Sequence, residues 1–185
     1  MNDERLIRRI LRVNHAGEHG AVSIYSFQLR RAERRFPALV PWLADTLAHE
    51  EEHRRLFRQA MPSRRSKPCR ALWIWKAGGA MLGSFTALFG ESGIMACTAA
   101  VERTVHKHLL AQIQFLGHKD TELADLTRRI LSEEDEHLAA AEHGLDSKSP
   151  GVKLLSWFVA SATEVMIFLS TRGDSLQLNA SLRAA

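Results

Sequence analysis

A three-residue half-site occurs twice in this chain, and it limits the possible folds more than any other feature. Glu50 and His53 form one Glu-x-x-His pair, Glu134 and His137 another, and each pair follows a single glutamate, Glu18 or Glu102, by the same 32 residues. The two sets are offset by 84 residues. Residues three apart on a helix occupy neighbouring positions of one face, so each pair can present a carboxylate oxygen and an imidazole nitrogen to one point. One such match arises readily by chance in helices rich in Glu and His. The matched spacing makes the set significant.

The spacing also has a geometric meaning. The midpoint between Glu18 and Glu50 falls just before Phe36-Pro37, and that between Glu102 and Glu134 falls within Gly117-His118-Lys119-Asp120. Both are turn signals. In an antiparallel helical hairpin, Glu18 and Glu50 then lie roughly 24 Å from the turn on facing helices and meet at one level; Glu102 and Glu134 do the same. Two packed hairpins converge four glutamates and two histidines on one interior point. Ferritin-like di-metal carboxylate proteins project this ligand set into a four-helix bundle. The predicted fold is all-α, a ferritin-like four-helix bundle with two additional apolar helices.

With 185 residues, 45% apolar and 25% charged, the chain has the composition of one globular domain and lacks the signature of disorder. The expected plan is a helix hairpin over 3–60, a basic linker and interfacial helix over 61–90, a second hairpin over 92–143 and an apolar helix over 151–171. A frayed tail is expected from 172 to 185. Cys69 and Cys97 are not at metal-ligand spacing and suggest a reducing compartment. The opening residues lack the apolar run of a secretory signal and the acid-poor character of a transit peptide, so the protein is expected to stay where it is made. A net charge of +4 permits nucleic acid or an anionic membrane as partner.

The position of the charge separates those partners. Arg64, Arg65, Lys67 and Arg70 lead into Trp73, Trp75 and Lys76, and then into an uncharged run from Ala77 to Gly90. Cations, tryptophans and a smooth apolar stretch suit a helix lying in a membrane interface, and the run is shorter than the ~20 residues of a full span. The alternative is a buried core helix after a solvated loop. In the last helix the uncharged run, Leu154 to Thr163, is also too short to span; it suits a hydrophobic ligand tunnel or a second membrane contact. The cations are too few, and too close to an apolar helix, to favour nucleic acid.

Four carboxylates and two imidazoles suit iron or manganese, with no thiolate placed for structural zinc. Four buried carboxylates would repel one another without a cation. By analogy with the class, Glu50 and Glu134 bridge two ions, while Glu18, Glu102, His53 and His137 are terminal. His15, His19, His49, His106, His118 and His143 are read as capping, surface or supporting residues, and Glu51, Glu52, Glu136 and Glu142 as solvent-facing.

Longer motifs carry a resemblance. They are Arg12-Val13-Asn14-His15-Ala16-Gly17-Glu18-His19-Gly20-Ala21, Glu50 with His53, Gly90 through Met95-Ala96-Cys97-Thr98 to Glu102, and Glu134-Asp135-Glu136-His137 through Gly144-Leu145-Asp146. Over about residues 5 to 172 the chain resembles the demethoxyubiquinone hydroxylases of ubiquinone biosynthesis. The resemblance implies a ferritin-like monooxygenase with two Fe ions (Fe2+/Fe3+), peripheral on a membrane, adding a hydroxyl from O2 to the ring of a polyprenyl benzoquinone or its quinol. The metal ligands it implies are the six residues above. His108 matches a family histidine near the substrate and electron-entry side, and Leu109 follows it where animal members have a tyrosine. NADH or a separate reductase is the implied electron donor, and an accessory ubiquinone-biosynthesis lipid-binding protein is a further implied partner. Similarity to bacterial members places the protein on the cytoplasmic face of the inner membrane. An iron oxidation and storage protein is the alternative, as it shares the metal site but needs no greasy entrance.

Overall fold

The computed structural model describes residues 3–145 and 149–171. Asp146 and the tail from 172, read from sequence as frayed, lie outside the described residues. Among those residues there are six α-helices and no strand: α1 (Asp3–Arg35), α2 (Val40–Ala60), α3 (Leu72–Ala87), α4 (Gly90–Leu116), α5 (Thr121–His143) and α6 (Pro150–Thr171). α1 pairs with α2 and α4 with α5 as two hairpins.

The hairpin turns fall where the sequence breaks helical continuity. α1 ends on Arg34 and Arg35, cations that suit a helix C-terminus, and Pro37 opens a 3-10 turn, Pro37–Leu39, that reverses the chain. Pro41 sits in the first turn of α2, where its missing N–H is not needed. Asp120 caps α5 by accepting a hydrogen bond from the Leu123 N–H at 3.1 Å. Arg64 grips the same carboxylate through two bonds of 2.5 and 2.7 Å, tying the 61–70 linker to the second hairpin. One of the four linker cations is therefore committed inside the fold.

Two apolar clusters fix the hairpins face to face. At one end Leu6, Leu11, Phe57, Leu116, Leu123 and Ile130 pack together; at the other, Tyr25, Ala32, Leu43, Ala87 and Ile94 do so. The level between the clusters holds Glu18, Glu50, Glu102 and Glu134. α3 then lies along α1, and α6 along α4. The α1–α3 contact is backbone to backbone: a Cβ at Gly79 would collide with the Gly20 carbonyl oxygen, so only glycine allows this approach. α1 and α4 make little direct contact, and the gap between them is roofed by α3 and α6.

The structure corrects the sequence reading in three places. α4 begins at Gly90, with φ +74° at that glycine, so the chain turns within 88–90 and not across Gly90 to Gly93. Trp75 is not an interfacial side chain but a buried one: 8% exposed, it packs with Val13, Ala16 and Ile167, and its indole N–H donates to Ser170 Oγ at 3.1 Å. α6 as a whole is long and apolar enough to cross a membrane by length and composition, although its charge-free run is short.

Candidate metal centre

Each of the six residues picked out by spacing reaches the interior level between the two apolar clusters. Ligand atoms of Glu18, Glu50, His53 and Glu134 all lie within 4.8 Å of one another, as do those of Glu50, Glu102, Glu134 and His137. The two groups share Glu50 and Glu134. His53 Nδ1 and His137 Nδ1 each come to 3.2 Å from Glu134, at its Oε1 and Oε2 respectively. Both rings thus turn Nδ1 toward the carboxylates.

The electrostatics of this level call for a cation. Both Glu50 oxygens are buried without a hydrogen-bond partner, a costly state for polar atoms unless an ion completes them. Burial, reinforced by the charge of Glu134, raises the carboxyls of Glu18, Glu50 and Glu102, with Glu18 pushed up to about 7. Burial also works to raise Glu134, but hydrogen bonds from His137 and His53 outweigh it and hold that group at about 2. For His53, burial favours the neutral ring, and hydrogen bonding to Glu134 overrides it and lifts the imidazole to about 9. Without metal, protons do the work of cations here; a pair of divalent ions fits the oxygen-rich donor set.

A cavity of about 440 Å³ opens above the centre, in the gap between α1 and α4. Glu18, Glu50, Glu102 and Glu134 lie at its polar end, and Ile24, Leu82, Phe85, Phe158 and Met166 are among its apolar walls. His108 lines it too, its Nε2 2.9 Å from Glu164 Oε2 on α6. Asn14 and Gln112 close one part of the wall with two reciprocal amide bonds of 2.7 and 3.0 Å between α1 and α4.

A family profile described as ubiquinone biosynthesis protein COQ7 matches residues 5–170. The chain belongs to the COQ7 family. Among its relatives, the 3-demethoxyubiquinol 3-hydroxylase of Rhodospirillum rubrum is 36% identical over 167 residues, spanning 90% of this chain and 78% of that protein. The human mitochondrial NADPH-dependent 3-demethoxyubiquinone 3-hydroxylase is 34% identical over 170 residues, spanning 90% and 77%. The counterpart in Dictyostelium discoideum is 36% identical over 173 residues, spanning 91% and 78%.

This COQ7-family site contains residues that the spacing argument passed over. Tyr25 donates a hydrogen bond to Glu102, and Glu133 and His49 meet the outer nitrogens of His53 and His137. The 84-residue offset could have found the last two, since 49 and 133 are equivalent positions. It also pairs Trp73 on α3 with Trp157 on α6, exposed by 70% and 68%. Among the described residues every large exposed apolar side chain except Leu110 lies within 73–89 or on α6.

Proposed function

We propose that this chain is a 3-demethoxyubiquinol 3-hydroxylase, a monooxygenase that adds a hydroxyl to the ring of a demethoxyubiquinol or demethoxyubiquinone. The observation that carries the reading is the junction of two unlike environments: a cluster of four buried glutamates and two histidines that needs cations, at the end of an apolar cavity opening on an apolar surface. When bound here, two iron ions would supply the electrons that activate dioxygen. In the overall reaction one oxygen atom of O2 enters the ring and the other leaves as water, with two electrons and two protons drawn from the donor.

Glu50 and Glu134, common to both groups of donor atoms, would be shared by the two ions, while Glu18 with His53 would hold one and Glu102 with His137 the other. The cavity walls exclude water from the ring and take the first part of the polyprenyl tail, which gains about 25 cal/mol for each Å² of apolar area buried. His108, held by Glu164, joins Asn14 and Gln112 as a polar side chain of the wall and is assigned to contact the ring.

The apolar face formed by α3, the 88–89 turn and α6 is the membrane-facing surface. A polyprenyl tail dissolves only in lipid, and Phe85 and Phe158, in edge contact at 5.9 Å, line the cavity and are also exposed on that face. A patch of this kind on a protein surface marks a site of association, and paired tryptophans suit the headgroup level of a bilayer. We read the chain as a peripheral protein on the cytoplasmic face of an inner membrane. NADPH, named for the human relative, NADH or a separate reductase supplies the electrons, and an accessory lipid-binding protein could deliver the substrate. A storage function gives no role to an apolar cavity beside the centre.

The test is turnover of demethoxyubiquinol by iron-loaded protein in vesicles, with product followed by mass. A product one oxygen heavier is expected, made by the iron-loaded protein and not by chelated protein. Consumption of oxygen with ferric iron accumulating and the quinol unchanged would overturn the reading.

A further inference from the structure

The two Glu-x-x-His pairs are equivalent by position, but the groups behind their histidines differ. With Nδ1 of both rings turned to the glutamates, Nε2 points outward in each. His53 Nε2 lies 2.7 Å from Glu133 Oε2. His137 Nε2 lies 3.0 Å from His49 Nδ1. Glu133 and His49 directly precede Glu134 and Glu50, so they hold one and the same place in the 84-residue repeat. Each crosses from its own hairpin to the histidine of the other.

Behind the two histidines the pseudo-symmetry is therefore broken. A histidine that binds a metal through Nδ1 carries its proton on Nε2, so His53 donates to a carboxylate and His137 donates to a neutral imidazole. The second bond requires His49 to keep its own proton on Nε2, and the His49 ring lies nearly parallel to His137 at 5.2 Å between centroids. A charge-assisted bond to carboxylate is about twice as strong as a neutral one and makes the ring a better donor. Glu133 also adds negative charge beside one ion position only.

We infer that Glu133 and His49 make the two ion positions unequal, the one at His53 binding metal more tightly and filling first. Both are positioning residues that act through the ligand histidines. The inference rests on the di-metal reading above, and it adds an order of filling which that reading does not contain.

Titration of the metal-free protein with Co(II), followed by calorimetry and visible absorption, tests it without turnover. Wild type should take two ions in two separable steps. Glu133→Gln should weaken the tighter step by about 10- to 100-fold, the usual cost of losing such a partner, and so bring the steps together; Glu133→Asp should restore part of the separation. His49→Gln should weaken the second step and widen the gap. Glu133 is partly exposed, its side chain at 34%, so the variants should keep the thermal midpoint of the metal-free wild type. Two equal steps in wild type, a separation that neither variant moves, or shifts in the directions opposite to those predicted would overturn the inference while leaving the di-metal centre in place. Failure of wild type to bind two ions would overturn both.

Discussion

The Tyr25 hydroxyl donates to Glu102 Oε1 at 2.5 Å, and both groups are buried. The bond joins α1 to α4 at a level where the two helices otherwise make little contact. Burial, together with the negative charge of Glu102 and Glu50, keeps the phenol well above its ordinary range, so it stays protonated and donates to Glu102. Glu102 is thereby held in one orientation.

Tyr25→Phe should leave that carboxylate oxygen unsupported at a cost of about 1–3 kcal/mol. The expected result is a lower thermal midpoint together with reduced occupancy of the ion bound by Glu102 and His137, read by elemental analysis after dialysis. Wild-type values for both would contradict the assigned support.

Gly17 lines the cavity, and a Cβ built there meets nothing within 4 Å. Gly17→Ala should therefore stabilise the protein, by about 1 kcal/mol from helix propensity alone. Gly17→Phe should fill the cavity beside Glu18, raising KM for the quinol or abolishing turnover while both ions stay bound. Normal turnover in the Phe variant would show that the ring binds elsewhere.

Glu18 gives a pH signature to the metal-free protein. Its carboxyl rises from 4.5 to about 7 through burial and the charge of Glu134. A raised carboxyl contributes its stability below the unfolded value and loses it as pH climbs through the folded one. Glu18→Gln should thus change little near pH 5 and stabilise the chelated protein above about pH 8, by up to about 3 kcal/mol. Urea midpoints in excess chelator measure this, and a variant no more stable relative to wild type at the higher pH would contradict it.

The meeting of the six Glu and His residues was legible because helical hairpins turn equal spacing about a turn into proximity. Glu18 and Glu50 had to face each other once Phe36-Pro37 broke the helix. The partnership of Tyr25 with Glu102 was not legible: 77 residues separate them, and no periodicity links them. Trp75 was misread because two tryptophans at i and i+2 point about 200° apart on a helix, so only one can face outward. Trp157 was overlooked although the 84-residue offset leads to it from Trp73. The tunnel expected of Leu154 to Thr163 is there, with Phe158 and Thr163 in its wall, but its shape had no sequence signature, because it is made by what α1 and α4 leave unfilled.

That tryptophan pair carries the membrane prediction. Replacing both Trp73 and Trp157 with Ser should sharply weaken co-sedimentation with lipid vesicles and leave the thermal midpoint nearly unchanged, since both are exposed. Trp75→Ser should instead lower the midpoint, as it removes a buried ring beside Val13 and Ala16. Undiminished vesicle binding in the double variant would locate the docking surface elsewhere.

The most direct measurement is incorporation of isotopically labelled dioxygen. Iron-loaded protein, reduced and supplied with demethoxyubiquinol and labelled O2, should yield a quinol carrying one labelled oxygen on the ring, and Glu134→Ala should yield none while keeping its helices. A ring oxygen taken from water, or an undiminished labelled product from Glu134→Ala, would contradict a hydroxylase built on this centre.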